Sequence, residues 1–212
     1  MRLVAAGLGQ AVLDAVVELA LSPPASTLAV ADLGCGAGDV IGALTARPNV
    51  NGVGIDLSVA AVSLATRRFA AATWVVANAD RRLPVRDACL DVVLSVHGRR
   101  NPAECARVLR PDGRLVVAVP GPEDLQELRA LVQGRADPRG RTEVVVEEHA
   151  SAFALLDTRQ VRERHTLTGS RLKDLLHATY RSARGRQVPA DLVESGVAIT
   201  MASDVLVFTR TQ

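Results

Sequence analysis

Three glycines and two aspartates stand close together in the stretch AVADLGCGAGDV. Gly34, Gly36 and Gly38 occupy alternate positions directly after an apolar run, with Asp32 before them and Asp39 after them. Glycine weakens the interior of a strand or helix, so this cluster indicates backbone that turns tightly or approaches a ligand closely. The flanking acids favour a ligand that carries positive charge.

Two ligands suit a glycine loop that follows a first strand, a dinucleotide and S-adenosylmethionine. A dinucleotide fingerprint has the spacing G-x-G-x-x-G, and its pyrophosphate would be repelled by an acid that opens the next helix, as Asp39 does. S-adenosylmethionine has no phosphate, and its sulfonium and ammonium groups are attracted by acids. The spacing and the charges therefore predict an S-adenosylmethionine site.

Further candidate cofactor-binding residues follow the second and third strands. Asp56 ends the second strand, where a carboxylate can accept both ribose hydroxyls; the alternative is that it only caps the next helix. The loop after the third strand falls where an adenine edge would lie. The predicted cofactor-binding residues are Asp32, Gly34, Cys35, Gly36, Gly38, Asp56, Leu57, Asn78, Ala79, Asp80 and Ser95.

The substrate side is predicted from one histidine and four arginines. His97 follows the fourth strand and is a candidate catalytic base; the alternative is a loop residue that contacts backbone or solvent. Guanidinium groups suit phosphates, so a basic rim is predicted at the same edge, unless these arginines are only a solvated surface. The rim residues are Arg81, Arg82, Arg99 and Arg100, whereas His149, His165 and His177 are interpreted as structural.

Strand and helix patterns alternate along most of the chain, which predicts a parallel sheet covered on both faces. Strands are predicted at 27–34, 49–56, 73–78, 90–96, 113–120 and 197–211, with a further candidate at 158–168. Helices are predicted at 8–21, 39–47, 57–71, 102–110, 123–134 and 171–179, and residues 144–156 also favour a helix. We expect one domain over 1–212, with an N-terminal helix in 1–26, a cofactor-binding core in 27–134 and a substrate-side part in 135–212.

Composition narrows the class of protein. Hydrophobic residues make up 48% of the 212 residues and aromatic residues 2%, so we expect a core of Val, Leu and Ala. The net charge of +2 neither demands nor excludes a nucleic-acid partner. Cys35, Cys89 and Cys105 form no C-x-x-C pair, which predicts no metal site, no disulfide framework and a reducing cytoplasm. No stretch has the ~18 consecutive apolar residues of a membrane span.

Residues 94–129 resemble the bacterial large-subunit ribosomal RNA guanine-N1 methyltransferases. The similar features are an R-N-P turn, the run E-x-x-R-V-L-R-P-x-G and the run V-x-x-P-x-x-x-H/D-L-x-E-L. Residues 3–16 and 166–179 resemble further segments of that family. The resemblance implies a doubly wound, Rossmann-like α/β fold of the class I methyltransferases, with a mostly parallel seven-stranded sheet whose last strand is antiparallel. It also implies S-adenosylmethionine as cofactor and a ribosomal RNA guanine as substrate.

Three departures from that family keep other functions open. The family has an N-terminal four-cysteine zinc module for RNA, and this chain is expected to start after it. Val96-His97-Gly98-Arg99 replaces a common F-A-P or Y-A-P, and Gly9 replaces a common tyrosine. The alternatives are a small-molecule methyltransferase of secondary metabolism and a non-catalytic protein that binds the cofactor or a partner. The intact glycines and Asp56 count against the second alternative.

Overall fold

A seven-stranded sheet with helices on both faces forms the body of the protein. The computed structural model describes residues 7–22, 26–134, 140–179 and 196–211. The strands are β1 Leu28–Leu33, β2 Val50–Asp56, β3 Thr73–Val76, β4 Leu90–Val96, β5 Leu109–Pro120, β6 Phe153–Leu167 and β7 Val197–Arg210. The helices are α1 Gln10–Leu21, α2 Asp39–Thr45, α3 Val59–Arg68, α4 Pro102–Val108, α5 Gln126–Gln133, α6 Thr142–His149 and α7 Gly169–Thr179.

The strand order is β3-β2-β1-β4-β5-β7-β6. Strands β1 to β5 pair in parallel, and β7 is antiparallel to both of its neighbours, β5 and β6. This confirms the predicted fold class, with its antiparallel last strand. The order reverses between β1 and β4, so a crevice is expected at the carboxyl ends of these strands.

Small aliphatic side chains fill the core on each face of the sheet. On one face, Val30 and Val116 pack with Leu44 of α2 and with α1. On the other face, Val93 and Val117 pack with α4 and with the ring of Phe208. A third cluster joins the ends of β6 and β7 to helices α5 and α7. The third cluster fixes the end of the β6–β7 ribbon at which β6 finishes and β7 begins.

Two predicted boundaries are wrong. Residues 144–156 do not form one helix: α6 ends at His149, and β6 begins at Phe153 and runs for 15 residues. Leu155 and Leu156 are exposed on this edge strand, next to an irregularity in its pairing with β7, so the apolar alternation typical of a strand is lost. Strand β5 begins at Leu109, directly after α4, although the sequence predicted helix to residue 110.

Some predictions fall outside the described residues. The charged, turn-rich sequence of residues 135–141 predicts a loop, and its residues 135–139 belong to this group, as does the side chain of His177. Among the helices that the structure describes, none is long and apolar enough to cross a membrane.

Candidate functional site

The glycine loop joins β1 to α2, and its backbone explains its composition. Gly34, Gly36 and Gly38 have φ angles of +78°, +54° and +84°, a region that L side chains rarely adopt. A Cβ on Gly38 would lie 2.3 Å from the ring of Trp74, whereas a Cβ on Gly36 would meet no protein atom within 4 Å. Packing therefore requires glycine at position 38. At position 36 packing leaves room for a side chain, so glycine is required there only by the backbone angle and by any bound ligand.

Asp56 holds this loop against β2. Its Oδ2 accepts a hydrogen bond from the Gly36 amide at 2.9 Å, and its Oδ1 accepts one from the Ser58 amide at 2.8 Å. Ser58 is the residue that caps α3, through a hydrogen bond from the Ala61 amide. Asp56 is therefore a tether for the glycine loop, and capping the next helix is not its role.

The two acids that flank the glycines have different surroundings. Asp39 forms an ion pair with Arg68 of α3 at 2.5 Å, so its charge is already compensated. Asp32 is 2% exposed, and its Oδ1 has no hydrogen-bond partner among the described residues. Burial, assisted by the negative charge of Asp56, raises the pKa of Asp32 to about 7. Of the two acids, Asp32 is the one that lacks a partner for its charge.

Ser95 is a second buried polar group without a partner in the described residues. It lies at the carboxyl end of β4, next to the β1 strand that carries Asp32. Leaving a buried polar group without a hydrogen-bond partner costs roughly 1–3 kcal/mol. Two such groups at the point where the strand order reverses therefore indicate a site for a polar ligand. Cys35 is also buried here, and burial raises the pKa of its thiol to about 12. It is thus a neutral thiol and a poor nucleophile.

The loop after β3 lies between the cofactor side and the substrate side. Asn78 Oδ1 accepts a hydrogen bond from the Asp80 amide at 2.9 Å, and the neighbouring Ala79 is buried. Asp80 Oδ2 accepts one from Arg99 at 3.0 Å, which links this loop to the one after β4. Leu57 is 68% exposed beside Asp56, an unusual exposure for a large apolar side chain.

A pocket of about 490 Å³ opens at the carboxyl ends of β4 and β5 and is covered by α6. Its polar wall includes Asp80, His97, Arg99, Arg100, Arg141 and Glu148. Its volume falls within the ≈300–1,000 Å³ typical of small-ligand pockets. We call it the acceptor pocket.

His97 stands in the acceptor pocket on strained backbone. Its φ of +52° is uncommon for a residue other than glycine, and its amide donates to the Ala118 carbonyl at 2.9 Å. The imidazole Nε2 lies 3.2 Å from Ser203 Oγ of β7. The side chain is exposed at the mouth of the pocket, and partial desolvation by the surrounding protein lowers the pKa of His97. The imidazole is therefore neutral at pH 7 and able to accept a proton.

Only part of the predicted basic rim faces solvent. Arg81 and Arg82 are exposed, and the Arg99 side chain is 86% exposed although it pairs with Asp80. Arg100 turns inward, where its Nε donates to His149 Nε2 at 3.1 Å. The sequence gives no signal for this contact, because the two residues are 49 positions apart.

The histidines interpreted as structural differ in what they do. His149 is buried and stacks on Phe208, with ring centroids 5.3 Å apart. His165 forms a hydrogen bond with Glu163, whose carboxylate also accepts from the Gly9 amide at the start of α1. His149 thus contacts an arginine of the acceptor pocket, and His165 belongs to the support of the N-terminal helix.

The R-N-P turn and the run after it form the scaffold of the acceptor side. Asn101 caps α4 by accepting from the Ala103 amide at 3.0 Å, and Pro102 is the first helical residue. Arg107 donates to the Leu83 and Val85 carbonyls, which fixes the loop after β3 to α4. Asn101, Pro102 and Arg107 therefore position the pocket walls without lining the pocket, whereas Arg100, the first residue of the R-N-P turn, lines it.

The run that ends in E-L has a similar role at β7. Asp124 accepts from the Ala202 amide at 3.0 Å, and Glu127 accepts from the Thr200 amide at 2.9 Å. These bonds fix the segment after β5 against the strand that carries Ser203. Among the described residues, no group of three or more His, Cys, Asp or Glu side chains is arranged to hold a metal ion.

The fold and the domain match define the class. Residues 30–113 match the family model described as a methyltransferase domain. A TehB-like S-adenosylmethionine-dependent methyltransferase of Corynebacterium glutamicum superimposes with a TM-score of 0.58 at 18% identity, over 99% of this chain and 93% of that one. The chain contains a class I methyltransferase domain, and the cofactor of this class is S-adenosylmethionine.

Two relatives are more specific. YxjB of Bacillus subtilis strain 168, provisionally named a 23S rRNA (guanine-N(1)-)-methyltransferase, is 34% identical over 161 residues, which are 73% of this chain and 56% of YxjB. The 23S rRNA (guanine(748)-N(1))-methyltransferase of Streptomyces fradiae is 34% identical over 127 residues, 58% of this chain and 45% of that protein. The resemblance noted in the sequence is thereby confirmed, although the chain spans about half the length of these relatives.

Proposed function

We propose that the protein transfers a methyl group from S-adenosylmethionine to N1 of a guanine in 23S ribosomal RNA. The observation that carries the methyl transfer is the pairing of two features at one sheet edge: the buried, unpartnered Asp32 and the neutral His97 of the adjoining pocket. The likeness to the two relatives named for this reaction supports the choice of substrate.

The residues of the glycine loop suit this cofactor. Asp32 Oδ1 lacks a partner, and a bound cation would compensate its charge. Asp56 stands where a carboxylate meets a ribose, and Leu57 offers an apolar side chain beside it. We assign the adenine edge to Asn78, Ala79 and Asp80, and a polar contact to Ser95.

The cofactor supplies a methyl group that its sulfonium already activates. The main task of the protein is then alignment, which can contribute ~7–11 kcal/mol to the reduction of a barrier. The backbone strain at His97 and its contact with Ser203 fix the imidazole at the mouth of the acceptor pocket. Guanine N1 carries a proton that must leave, and a neutral imidazole can accept it.

The exposed arginines at the mouth of the pocket and beyond it suit a phosphate backbone. Arg81, Arg82 and Arg99 lie in two loops at the same sheet edge as His97, and all three are exposed. Their guanidinium groups would neutralise RNA phosphates near the target base. A ribosomal RNA substrate would also place the protein in the cytoplasm, as the cysteine pattern predicted.

A free small molecule is the second candidate substrate. The pocket volume of about 490 Å³ suits a small acceptor as well as a single extruded base. Such a substrate would need no basic rim, so the two candidates differ in how the reaction depends on salt.

One assay separates these functions. The protein is incubated with methyl-labelled S-adenosylmethionine and protein-free 23S ribosomal RNA, and in parallel with a small-molecule extract. We expect label in RNA, recovered as 1-methylguanosine after nuclease digestion and dephosphorylation, and a reverse-transcription stop at the modified base, because N1 methylation blocks pairing. His97→Gln should lower the turnover number at least tenfold, on the order of one general base. Its affinity for S-adenosylmethionine should not change.

Label in a small molecule, with none in RNA, would establish the second candidate. Binding of S-adenosylmethionine without label in either fraction would instead point to a non-catalytic protein.

A further inference from the structure

We propose that Arg100 and Arg141 form a phosphate-binding subsite in the wall of the acceptor pocket. The group they would hold is a phosphate ester on the acceptor molecule itself. The proposed function supplies only the identity of that acceptor, a guanine nucleotide. The subsite is distinct from the exposed Arg81 and Arg82 and from Arg99, which lines the same pocket but is paired with Asp80.

Arg100 is oriented before any ligand binds. Its Nε donates to His149 Nε2 at 3.1 Å, and its Nη1 donates to the Gly98 carbonyl at 3.3 Å. His149 Nδ1 lies 2.7 Å from the Val145 carbonyl, which can only accept, so Nδ1 carries the proton and Nε2 is the acceptor. Nη2 of Arg100 has no hydrogen-bond partner among the described residues. A pre-oriented guanidinium loses little entropy when it binds an anion.

Arg141 lies at the start of α6 and is exposed. It has no ion pair or hydrogen bond among the described side chains, yet it lines the same pocket as Arg100. The next residue, Thr142, donates to Asp204 Oδ2 of β7 at 2.6 Å, so this end of α6 is anchored. The charge of Arg141 lowers the pKa of Arg100, beside the larger effect of burial, which indicates that the two cations repel each other. An anion between them would relieve that repulsion.

The carboxylates of the pocket leave this positive charge in excess. Asp80 is occupied by Arg99 at 3.0 Å. Glu148 of α6 attracts Arg100 and compensates part of its charge. Three arginines therefore share the pocket with two carboxylates. Guanidinium groups bind phosphate through paired hydrogen bonds, so a phosphate ester fits this surplus better than an uncharged group does.

The test titrates isotope-labelled protein with guanosine 5′-monophosphate, guanosine and inorganic phosphate. The Nε–H resonance of Arg100, assigned by its loss in Arg100→Lys, reports the subsite by NMR. We expect the nucleotide and inorganic phosphate to shift this resonance and guanosine to leave it in place. Arg141→Ala should weaken nucleotide binding about tenfold, the scale of one hydrogen bond to a charged group.

The matched control is Arg47→Ala, which removes an exposed arginine after α2, at the opposite sheet edge. It should leave the titration unchanged, and Arg141→Lys should keep part of the affinity. Equal shifts by guanosine and the nucleotide, or no effect of Arg141→Ala, would overturn the proposal.

The methylation assay then separates the two proposals. If phosphate binds through these arginines and no RNA is methylated, the subsite stands and the acceptor is a phosphorylated small molecule. If RNA is methylated while neither phosphate probe shifts Arg100, the proposed function stands and the subsite is wrong. Competition between the nucleotide and a guanine-containing RNA oligonucleotide shows whether the phosphate belongs to RNA.

Discussion

The contacts that hold the cofactor side of the sheet edge join residues close in sequence, whereas those that hold the acceptor side join residues far apart in sequence. On the cofactor side, Asp56 fixes the glycine loop through a contact 20 residues away. On the acceptor side, His97 contacts Ser203 across 106 residues, and Arg100 contacts His149 across 49. The contact on the first side lies within one continuous βαβ segment, whereas those on the second side join β4 and the loop after it to α6 and β7. We therefore expect mutations on the cofactor side to act on ligand binding, and also on stability where a buried charge is removed, and mutations on the acceptor side to act on packing and turnover.

The largest expected effect is on the cofactor side, from Gly36→Val. The valine would place branched carbons on backbone that a ligand must approach, and S-adenosylmethionine binding measured by calorimetry should fall by more than about 100-fold, or ~2.7 kcal/mol. Gly169→Val is the matched control, because Gly169 has a nearly equal φ of +53° and its Cβ would also meet no protein atom within 4 Å. Both variants carry the same backbone strain, so equal losses of affinity would contradict a ligand at the glycine loop.

The second effect is on stability and comes from Asp32→Asn. The pKa of Asp32, about 7, is above its ordinary value of 3.8, so the folded state keeps a proton that the unfolded state loses. The free energy of unfolding should therefore fall as pH rises from about 4 to about 7 and then level off. Asn has no charge to bury, so the variant should be more stable than the wild type at pH 8 by roughly 2–4 kcal/mol, and near equal at pH 4.

Denaturant unfolding at both pH values measures this difference, with Asp39→Asn as the control, since Asp39 already pairs with Arg68. The Asp32 variant should also bind S-adenosylmethionine more weakly. A variant that is more stable and still binds normally would show that the buried charge has no role in the site.

The same comparison explains which features could be predicted from the sequence. The glycine loop and Asp56 follow strands directly, and parallel strands bring their carboxyl ends to one edge, so local pattern is sufficient there. Ser203 lies inside β7, in a run typical of a strand, and Arg141 lies in a charged stretch interpreted as a loop. Neither has a local signal, because their place in the site depends on how α6 and β7 pack. The inward orientation of the Arg100 side chain likewise depends on His149. The sequence predicts only a structural role for that histidine and no contact with Arg100.

A third effect tests the packing of the acceptor side. His149→Phe keeps an aromatic ring beside Phe208 but removes the acceptor for Arg100 Nε, and it should lower the free energy of unfolding by about 1–3 kcal/mol at pH 8. Burial lowers the pKa of His149, so in the wild type the folded state resists protonation. The stability that this neutral histidine contributes is present above its ordinary pKa of 6.5 and is lost as pH falls below it.

Denaturant unfolding at pH 8 and pH 5 checks both parts. The variant should lose less stability on acidification than the wild type does, while His97, whose pKa is also lowered, keeps its share of the loss. An unchanged acid dependence would mean that His149 is not held neutral by Arg100 and its surroundings.

The smallest effect concerns the exposed rim, where the two sides of the edge meet. If Arg81 and Arg82 contact RNA phosphates, each contact releases counterions, and the affinity should fall with salt by a log–log slope of roughly −0.7 per contact on a single strand. Replacing both with alanine should flatten the slope by one to two contacts and leave the affinity for S-adenosylmethionine unchanged, because both side chains are exposed in the loop after β3. Replacing Arg100 should instead change turnover and pocket binding, since His149 turns it away from solvent. RNA binding by the wild type and the double variant should be measured between about 50 and 200 mM salt, a range in which such slopes are resolved. The two slopes are then compared. An unaltered slope in the double variant, with RNA still methylated, would move the RNA contacts from this rim to another part of the protein.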